Sequence, residues 1–206
     1  MNKYTFSKKD ILTVRETWQI DPKIIEKYTD PKNKEFSMVF EFSGQDIDII
    51  LGKEKWDYKS VTPGELKKIF TSWQLGYNFD HMWLGLVLGN HDLPRVISRW
   101  GDDKKFRIPC AKMFAIIMHM MKGTPFIYQG EEIGMTNFHF NSISEVKDIE
   151  SKNMYKKRIL EGYSKSKILD EINVKSRDNA RTPMQWSSKT KAGFTTGTPW
   201  ININPN

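Results

Sequence analysis

The stretch "LVLGNHDLPRVISRWGDD", residues 86–103, changes from apolar to polar within a few positions. Its apolar start gives way to the triplet Asn90-His91-Asp92, three side chains that are costly to bury without partners. Two interpretations follow. In one, Asp92 is the N-cap of a helix whose first turn contains Pro94. In the other, the apolar run is a buried strand that ends in an active site, and the residues alone weigh the two about equally.

Segments typical of strands and of helices alternate on both sides of this stretch. Short apolar runs rich in β-branched residues predict buried strands over residues 11–16, 37–42, 83–88 and 124–134, the last of which runs into an acidic turn between glycines. Periodic apolar segments predict helices over residues 22–30, 62–76 and 111–123. This alternation predicts βαβ units and a parallel sheet. Three of the four strands end in polar or acidic residues, and functional residues of parallel α/β folds gather at the carboxyl ends of the strands.

The alternation lapses from about residue 141 into a long polar segment. The strings "SRDNARTPMQW", residues 176–186, and "AGFTTGTPWININPN", residues 192–206, are rich in Gly, Pro, Thr and Asn. Such composition predicts an ordered loop rather than a repeat or a linker. A loop of this length in a compact domain is usually either functional or detached.

Composition excludes several classes of function. The 206 residues are 38% hydrophobic and 28% charged, which is enough for one ordinary domain with a core. The net charge is +7, but the lysines are scattered among acidic residues and form no basic stripe, which argues against a nucleic-acid partner. No apolar run reaches the roughly 18 residues of a membrane span, and the N-terminus lacks the apolar core of a signal peptide. The single Cys110 allows no internal disulfide, and the predicted compartment is the cytoplasm.

A second carboxylate, Glu16, also follows a predicted strand and precedes Thr17-Trp18. Burial beside an aromatic ring raises the pKa of a carboxylic acid, which a general acid needs near neutral pH. The alternative is that Glu16 caps or salt-bridges the following turn, and spacing alone favours that alternative.

The four histidines show no metal-ligand spacing, and neither a phosphate-binding P-loop nor a G-x-S-x-G elbow is present. The residues by themselves predict an α/β domain with a polar site at its strand ends.

Three long strings resemble the α-glucosidases of glycoside hydrolase family 13. They are "GNHDLPRVISRWGDD" (89–103), "KGTPFIYQGEEIGMTNFHF" (122–140) and "SRDNARTPMQWSSKTKAGFTTGTPWININPN" (176–206). The resemblance covers essentially the whole chain and is strongest to oligo-1,6-glucosidase, dextran glucosidase (glucan 1,6-α-glucosidase) and phosphotrehalase. It implies an α/β fold, the (β/α)₈ TIM barrel, and hydrolysis of α-glucosidic bonds with retention. Residues 1–206 would supply strands 5 to 8 and the long loop after strand 8, without the first half-barrel, helix 8 and the C-terminal β-domain.

The resemblance also implies roles for individual residues. Glu16 resembles the general acid/base at the end of strand 5. Asp92 resembles the carboxylate after strand 7 that holds sugar hydroxyls and stabilises the oxocarbenium-like transition state, and His91 would hydrogen-bond the same sugar ring. Arg177 resembles the arginine that clamps the terminal glucose. Two further residues resemble contacts on the leaving-group side in the dextran glucosidase type, Trp18 and Lys55. In "YQGEE", the structural interpretation is favoured for Gln129, Glu131 and Glu132.

Departures from the family pattern bear on activity. A retaining glycosidase needs a second carboxylate as nucleophile, about 5–5.5 Å from the acid. In this family it lies on strand 4 in a "G-F-R-x-D" string, which this sequence does not contain. The calcium loop belongs to the same missing half, so no metal or cofactor is expected. Arg15 stands where the family usually has Gly, and a cation beside Glu16 would lower the pKa of that acid. Gly89 stands where the family usually has Asn.

The sequence therefore predicts part of a retaining α-glucosidase that hydrolyses α-1,6-glucosidic bonds of isomalto-oligosaccharides or dextran in carbohydrate catabolism. The chain alone would be inactive. Its expected partners are an α-glucoside oligosaccharide and the missing half of the barrel, with no nucleic acid and no membrane. The alternatives are part of a phosphotrehalase or a sucrose isomerase, and a non-catalytic sugar-binding or pseudogene product.

Overall fold

The computed structural model describes residues 4–6, 8–18 and 22–205. Its regular elements in chain order are β1 (Val14–Thr17), α1 (Pro22–Thr29), β2 (Met38–Glu41), α2 (Pro63–Leu75), β3 (Leu84–Val87), α3 (Val96–Trp100), α4 (Arg107–Met120), β4 (Thr124–Phe126), α5 (Ile149–Leu160) and α6 (Lys165–Lys175). The four strands lie within the four predicted runs or extend one residue beyond them. The chain divides into two compact units. Within the described ranges, none of the helices combines the length and hydropathy that a membrane span requires.

The first unit comprises Met1–Ile47, Val61–Leu88 and Ile116–Phe126 and is built on a parallel sheet. The strand order is β1-β2-β3-β4, so each strand pairs with its neighbours in sequence. At Gly85, a Cβ would lie 3.0 Å from Phe40 and 3.1 Å from Phe126. The glycine on β3 thus leaves room for the rings of Phe40 and Phe126 to pack edge to face, with centroids 4.8 Å apart.

Helix α2 begins where the sequence predicts because its start signals are strong. Thr62 and Glu65 form a reciprocal capping box, with Pro63 at the first helical position. Its buried face carries Leu66 and Trp73. The Trp73 ring is fully buried, and its Nε1–H donates to the carbonyl of Ser43 at 3.1 Å. Burial of the ring and satisfaction of its polar edge fix this helix within the first unit.

The second unit comprises Asp48–Ser60, Gly89–Ala115 and Ile127–Asn206 and has its own core. The core residues are Trp56, Phe140, Val146, Met154, Ile168, Ile172 and Ile201. The prediction of a continuous loop from residue 141 is wrong over α5 and α6. Asp148 and Ser164 cap these helices by accepting from backbone N–H groups. Their apolar residues are few and lie among many polar ones, so the helical period is weak in the sequence.

After Lys175 the prediction of an ordered loop holds, because residues 176–205, the part of this loop that the structure describes, form only short 3₁₀ turns at Arg177–Arg181 and Thr190–Gly193. This loop is anchored by Arg95, whose side chain is buried. The Arg95 guanidinium donates to the carbonyls of Gln129, Asn179 and Ala180 at 2.5, 3.2 and 3.3 Å. One side chain therefore fastens the turn after β4 to the loop that follows α6.

The interpretation of Asp92 as a helix N-cap is wrong. Helix α3 begins at Val96, and its N-cap position is Arg95, which makes no side-chain cap. Asn90 instead accepts from the backbone N–H of Asp92 at 2.8 Å, which closes a turn before the helix. The Asp92 carboxylate is consequently free of the helix terminus and bonds elsewhere.

Candidate active site

Asp92 lies in a polar turn of the second unit, with His91 beside it. The Nε2 atom of His91 is 3.3 Å from Oδ2 of Asp92. Both side chains reach solvent, with exposed fractions of 62% for His91 and 43% for Asp92. A carboxylate that is half exposed and already oriented is available to a ligand from solution.

Two arginines converge on the other oxygen of the same carboxylate. Arg181 Nη2 donates to Oδ1 of Asp92 at 2.9 Å, and Arg177 Nη1 lies 3.4 Å from the same oxygen. Arg181 also donates from Nε to the carbonyl of His91 at 2.9 Å. Charge-assisted hydrogen bonds of this kind fix a carboxylate in orientation. The turn is therefore held by both its side chain and its main chain.

Arg177 is itself positioned by Asp148. Its Nε and Nη2 atoms donate to Oδ1 of Asp148 at 3.1 and 2.7 Å. The other Asp148 oxygen caps α5 by accepting from the N–H and hydroxyl of Ser151 at 2.9 and 2.8 Å. Burial, the largest single influence, raises the pKa of Asp148, but the hydrogen bonds from Ser151 and Arg177 outweigh it and hold that pKa below its usual value. Asp148 therefore stays anionic and keeps Arg177 in place.

Lys55 joins the same group of charges through Glu150. Its Nζ atom is 2.5 Å from Oε2 of Glu150 and 4.6 Å from the centroid of the Trp56 ring. The same Glu150 oxygen lies 3.4 Å from Nε of Arg177. Lys55, Glu150 and Arg177 thus form a row of alternating charge, and 42% of the Glu150 side chain is exposed. Such a row offers hydrogen-bond donors and acceptors to a polyhydroxylated ligand.

Glu131 occupies a different environment in the same unit. Its Oε2 accepts from the N–H of Tyr128 at 3.1 Å, while the buried Oε1 has no hydrogen-bond partner among the described residues. A Cβ on Gly89 would lie 2.6 Å from that Oε1 atom. Burial raises the pKa of Glu131 to about 7, against the lowering effects of the Tyr128 N–H and the Arg95 charge. Glu132 Oε2 accepts from the N–H of Gly130 at 2.6 Å. Both carboxylates bond to their own turn, as the structural interpretation of "YQGEE" predicts.

The first unit contains the other predicted carboxylate. Glu16 lies on β1 with an exposed side chain. Trp18 follows the strand, is 45% exposed and stacks on Phe42, with centroids 4.8 Å apart. The guanidinium of Arg15 lies 4.0 Å from the centroid of the Tyr28 ring. Neighbouring strand residues point to opposite faces, so the Arg15 cation lies on the other side of β1 from Glu16. The expectation that it sits beside Glu16 is therefore wrong.

The predicted residues thus fall into two groups. Asp92, His91 and Arg177 make direct contacts in the second unit, and Lys55 joins them through Glu150. Glu16 and Trp18 are neighbours in the first unit. Sequence reasoning missed Asp148, Glu150 and Arg181. Arg181 closes the quoted "RDNAR" string, so its spacing from Arg177 was a usable signal.

No ion-binding cluster of three or more His, Cys, Asp or Glu side chains is found among the described residues. This observation concerns the second half of the expected barrel alone. The prediction that the chain needs no cofactor remains a prediction.

The family model "Alpha amylase, catalytic domain" matches residues 1–206, the full length of the chain. The chain belongs to the α-amylase family of glycoside hydrolases, family 13. Within this family it is 49% identical over 207 residues to the glucan 1,6-alpha-glucosidase of Streptococcus pneumoniae. It is 51% identical over 207 residues to the oligo-1,6-glucosidase of Parageobacillus thermoglucosidasius. The alignments cover 100% of this chain but only 39% and 36% of these family members.

Solved structures of family 13 enzymes share the fold. The trehalose-6-phosphate hydrolase of Bacillus licheniformis superposes with a TM-score of 0.93 at 45% identity, covering 100% of this chain and 37% of that one. Isomaltulose synthase from Klebsiella sp. LX3 superposes with a TM-score of 0.90 at 35% identity, with the same coverage of both chains. Together with the four parallel strands, these neighbours confirm the predicted fold class, part of a (β/α)₈ barrel.

Proposed function

We propose that the chain is part of a retaining α-glucosidase that hydrolyses the α-1,6-glucosidic bonds of isomalto-oligosaccharides or dextran. The observation that carries the proposal is the Asp92 carboxylate, half exposed and held by Arg181, Arg177 and His91. A fixed anion next to several donors suits a sugar ring that gains positive charge at its anomeric carbon. The relatives named as glucan 1,6-alpha-glucosidase and oligo-1,6-glucosidase support the linkage.

The proposed division of labour follows from the chemistry of each residue. Glu16 protonates the glycosidic oxygen as it leaves and then removes a proton from the incoming water. Asp92 stabilises the oxocarbenium-like transition state and binds hydroxyls of the sugar being transferred. Arg177 and His91 donate to the same ring. The remaining two residues contact the leaving-group sugar, Trp18 through its ring face and Lys55 through its ammonium.

Retention requires a nucleophilic carboxylate, which forms the glycosyl–enzyme intermediate. The family string that carries this Asp is not in the sequence, so we expect the 206 residues alone to be inactive. In this proposal residues 1–206 supply strands 5 to 8, and the first half-barrel supplies the nucleophile. The cytoplasmic location stays a prediction.

A second candidate is the hydrolysis of trehalose 6-phosphate. It is favoured by the superposition on the Bacillus licheniformis hydrolase and by 45% identity to the trehalose-6-phosphate hydrolase of Bacillus subtilis. The charged row of Lys55, Glu150 and Arg177 offers donors and acceptors to the hydroxyls of either substrate, so it does not distinguish the two activities. Substrate choice therefore needs a direct measurement.

Hybrid enzymes test the proposal. The 206 residues replace the matching segment of the pneumococcal glucan 1,6-alpha-glucosidase, and glucose release is measured from isomaltose, trehalose 6-phosphate and sucrose. We expect the hybrid to cleave isomaltose, and the Glu16→Gln hybrid and the isolated chain to show none of this activity. A second hybrid in the Bacillus subtilis hydrolase shows whether the host half decides linkage. Glucose release from isomaltose by the isolated chain would refute the dependence on a missing nucleophile.

A further inference from the structure

The loop that follows the Asp92-binding arginines forms an open surface cavity of about 980 Å³. It is lined by residues 188–190 and 193–196, none of which belongs to the site described above. The volume lies at the upper end of the range of about 300–1,000 Å³ typical of small-molecule sites. A cavity of this size is large enough to hold a small ligand.

The lining has the chemistry of a carbohydrate site. It carries four hydroxyl side chains, one aromatic ring and one charged group. The ring is Phe194, which is 47% exposed, and the charged group is Lys189. A pyranose has an apolar face that packs on an aromatic ring and a rim of hydroxyls that pair with Ser and Thr. Apart from Lys189, the groups that a ligand meets in the lining are uncharged hydroxyls and one ring, the partners that an unmodified sugar needs.

The backbone of the loop is held in a costly conformation. Lys191, Ala192 and Gly193 have φ values of 53°, 54° and 65°, a left-handed run that includes two non-glycine residues. Such residues persist only where surrounding contacts impose them, and they concentrate at ligand sites. Here the Ser187 N–H donates to the Ala192 carbonyl at 3.1 Å, and Lys191 Nζ donates to the Thr196 carbonyl at 2.9 Å. These bonds tie the two sides of the loop together, so the cavity is preformed.

A second exposed aromatic borders the same turn. Trp186 is 70% exposed, and its Cβ lies 3.8 Å from the position that a Cβ on Gly193 would occupy. An exposed aromatic ring is available to pack on the apolar face of a sugar. Phe194 and Trp186 thus provide two rings on one strained loop.

We infer that this loop, residues 186–196, is a second carbohydrate-binding site that takes a neutral α-glucan chain. The inference rests on the proposed function for the class of ligand. A glucose unit packs on the ring of Phe194 and hydrogen-bonds the Ser and Thr hydroxyls of the lining, while Trp186 contacts the neighbouring unit. The site holds the polymer at a point remote in sequence from Asp92 and leaves the chemistry to the residues described above.

Affinity electrophoresis of the 206-residue chain tests the inference, with gels cast with and without dextran. We expect dextran to retard the wild-type chain, and Phe194→Ala and Trp186→Ala each to weaken the binding about tenfold, the size expected for one stacked ring. Phe194→Leu keeps apolar bulk without the ring and should weaken binding as much as Phe194→Ala. The matched control is Phe106→Ala, because Phe106 is 50% exposed in the same unit but lies outside the cavity. This control should migrate like the wild type.

The outcomes separate the inference from the proposed function. If Asp92→Asn abolishes retardation and Phe194→Leu does not, the glucan sits at the Asp92 site and the inference fails while the proposed function stands. Absence of retardation in the wild-type chain, or equal retardation of all variants, also overturns it. Retardation that depends on Phe194, with hybrids that cleave no α-glucoside, supports the binding site and removes the proposed function.

Discussion

Asp148 Oδ1 accepts from both Nε and Nη2 of Arg177, at 3.1 and 2.7 Å. The same carboxylate caps α5 through its other oxygen. One buried anion therefore performs a structural task at a helix start and a positioning task at the candidate site. These two tasks can be separated by substitution, since Asn is as good an N-cap as Asp but carries no charge.

We expect Asp148→Asn to raise the KM of the active hybrid for isomaltose about tenfold, with a smaller change in kcat, because Arg177 loses the shortest of its ion pairs. The melting temperature should change little. The matched control is Ser164→Ala, which removes the cap of α6 and should cost about 1 kcal/mol of stability without changing KM. An unchanged KM in Asp148→Asn, with Arg177 still required, would show that Arg177 needs no such anchor.

Arg181 holds two acceptors at once, the His91 carbonyl and the Asp92 carboxylate. Lysine has a single terminal nitrogen and cannot reproduce this fork. Arg181→Lys in the hybrid should therefore lower kcat for isomaltose by about tenfold, because Asp92 is no longer fixed for transition-state contact. Arg107→Lys serves as the control, since Arg107 contacts the Gly134 carbonyl and should leave kcat unchanged. Equal kcat values for the wild type and Arg181→Lys would count against the positioning role.

Glu131 should make stability depend on pH. Its pKa is raised from 4.5 to about 7 in the folded chain, chiefly by burial, so folding favours the protonated form. The contribution of Glu131 to stability is therefore greatest below about pH 4.5, falls as pH rises toward about 7, and changes no further above it. The full difference corresponds to on the order of 3 kcal/mol. Urea unfolding of the chain at pH 5 and pH 8 measures it. Glu131→Gln should flatten this dependence, whereas a slope identical to the wild type in that variant would contradict the assignment.

Gly89 and Glu131 should be energetically coupled, because a Cβ at position 89 would lie 2.6 Å from Oε1 of the carboxylate. We expect Gly89→Ala to cost about 1–3 kcal/mol of unfolding free energy, the usual scale of overpacking. In a Glu131→Ala background the same substitution should cost less than about 1 kcal/mol, since the opposing atoms are gone. Urea unfolding of the four proteins completes the cycle. Additive costs would show that the cost of Gly89→Ala does not arise from contact with the Glu131 carboxylate.

The sheet could be predicted because β2 and β3 are buried runs of apolar residues, a local signal with a direct physical cause. Strands β1 and β4 are only partly buried, with Glu16 exposed on β1, so the prediction that they are buried strands is wrong in burial though right in position. Helices α5 and α6 could not, since their inward faces rely on isolated residues such as Met154 and Ile168 among lysines, asparagines and serines. Their caps at Asp148 and Ser164 were present in the sequence but were not read as helix starts. Tertiary packing, rather than local pattern, decides these two segments.

For the site, resemblance to family 13 predicted Asp92, His91 and Arg177, and the structure shows Asp92 in contact with the other two. It could not supply Asp148 or Glu150, because their importance depends on partners 29 and 95 residues away in the chain. The N-cap interpretation of Asp92 failed for the same reason. Asp92 pairs instead with Arg181, which is 89 residues away in the chain, and the sequence around Asp92 does not indicate such a distant partner.

Arg95 donates to Gln129, Asn179 and Ala180 through their main-chain carbonyls alone. Such contacts do not depend directly on the side chain at position 129, 179 or 180, although buried Asn179 also holds Phe138 and Asn173 through its own side chain. Replacement of the arginine itself releases all three at once. In evolutionary terms, a single codon preserves the join between the turn after β4 and the loop after α6.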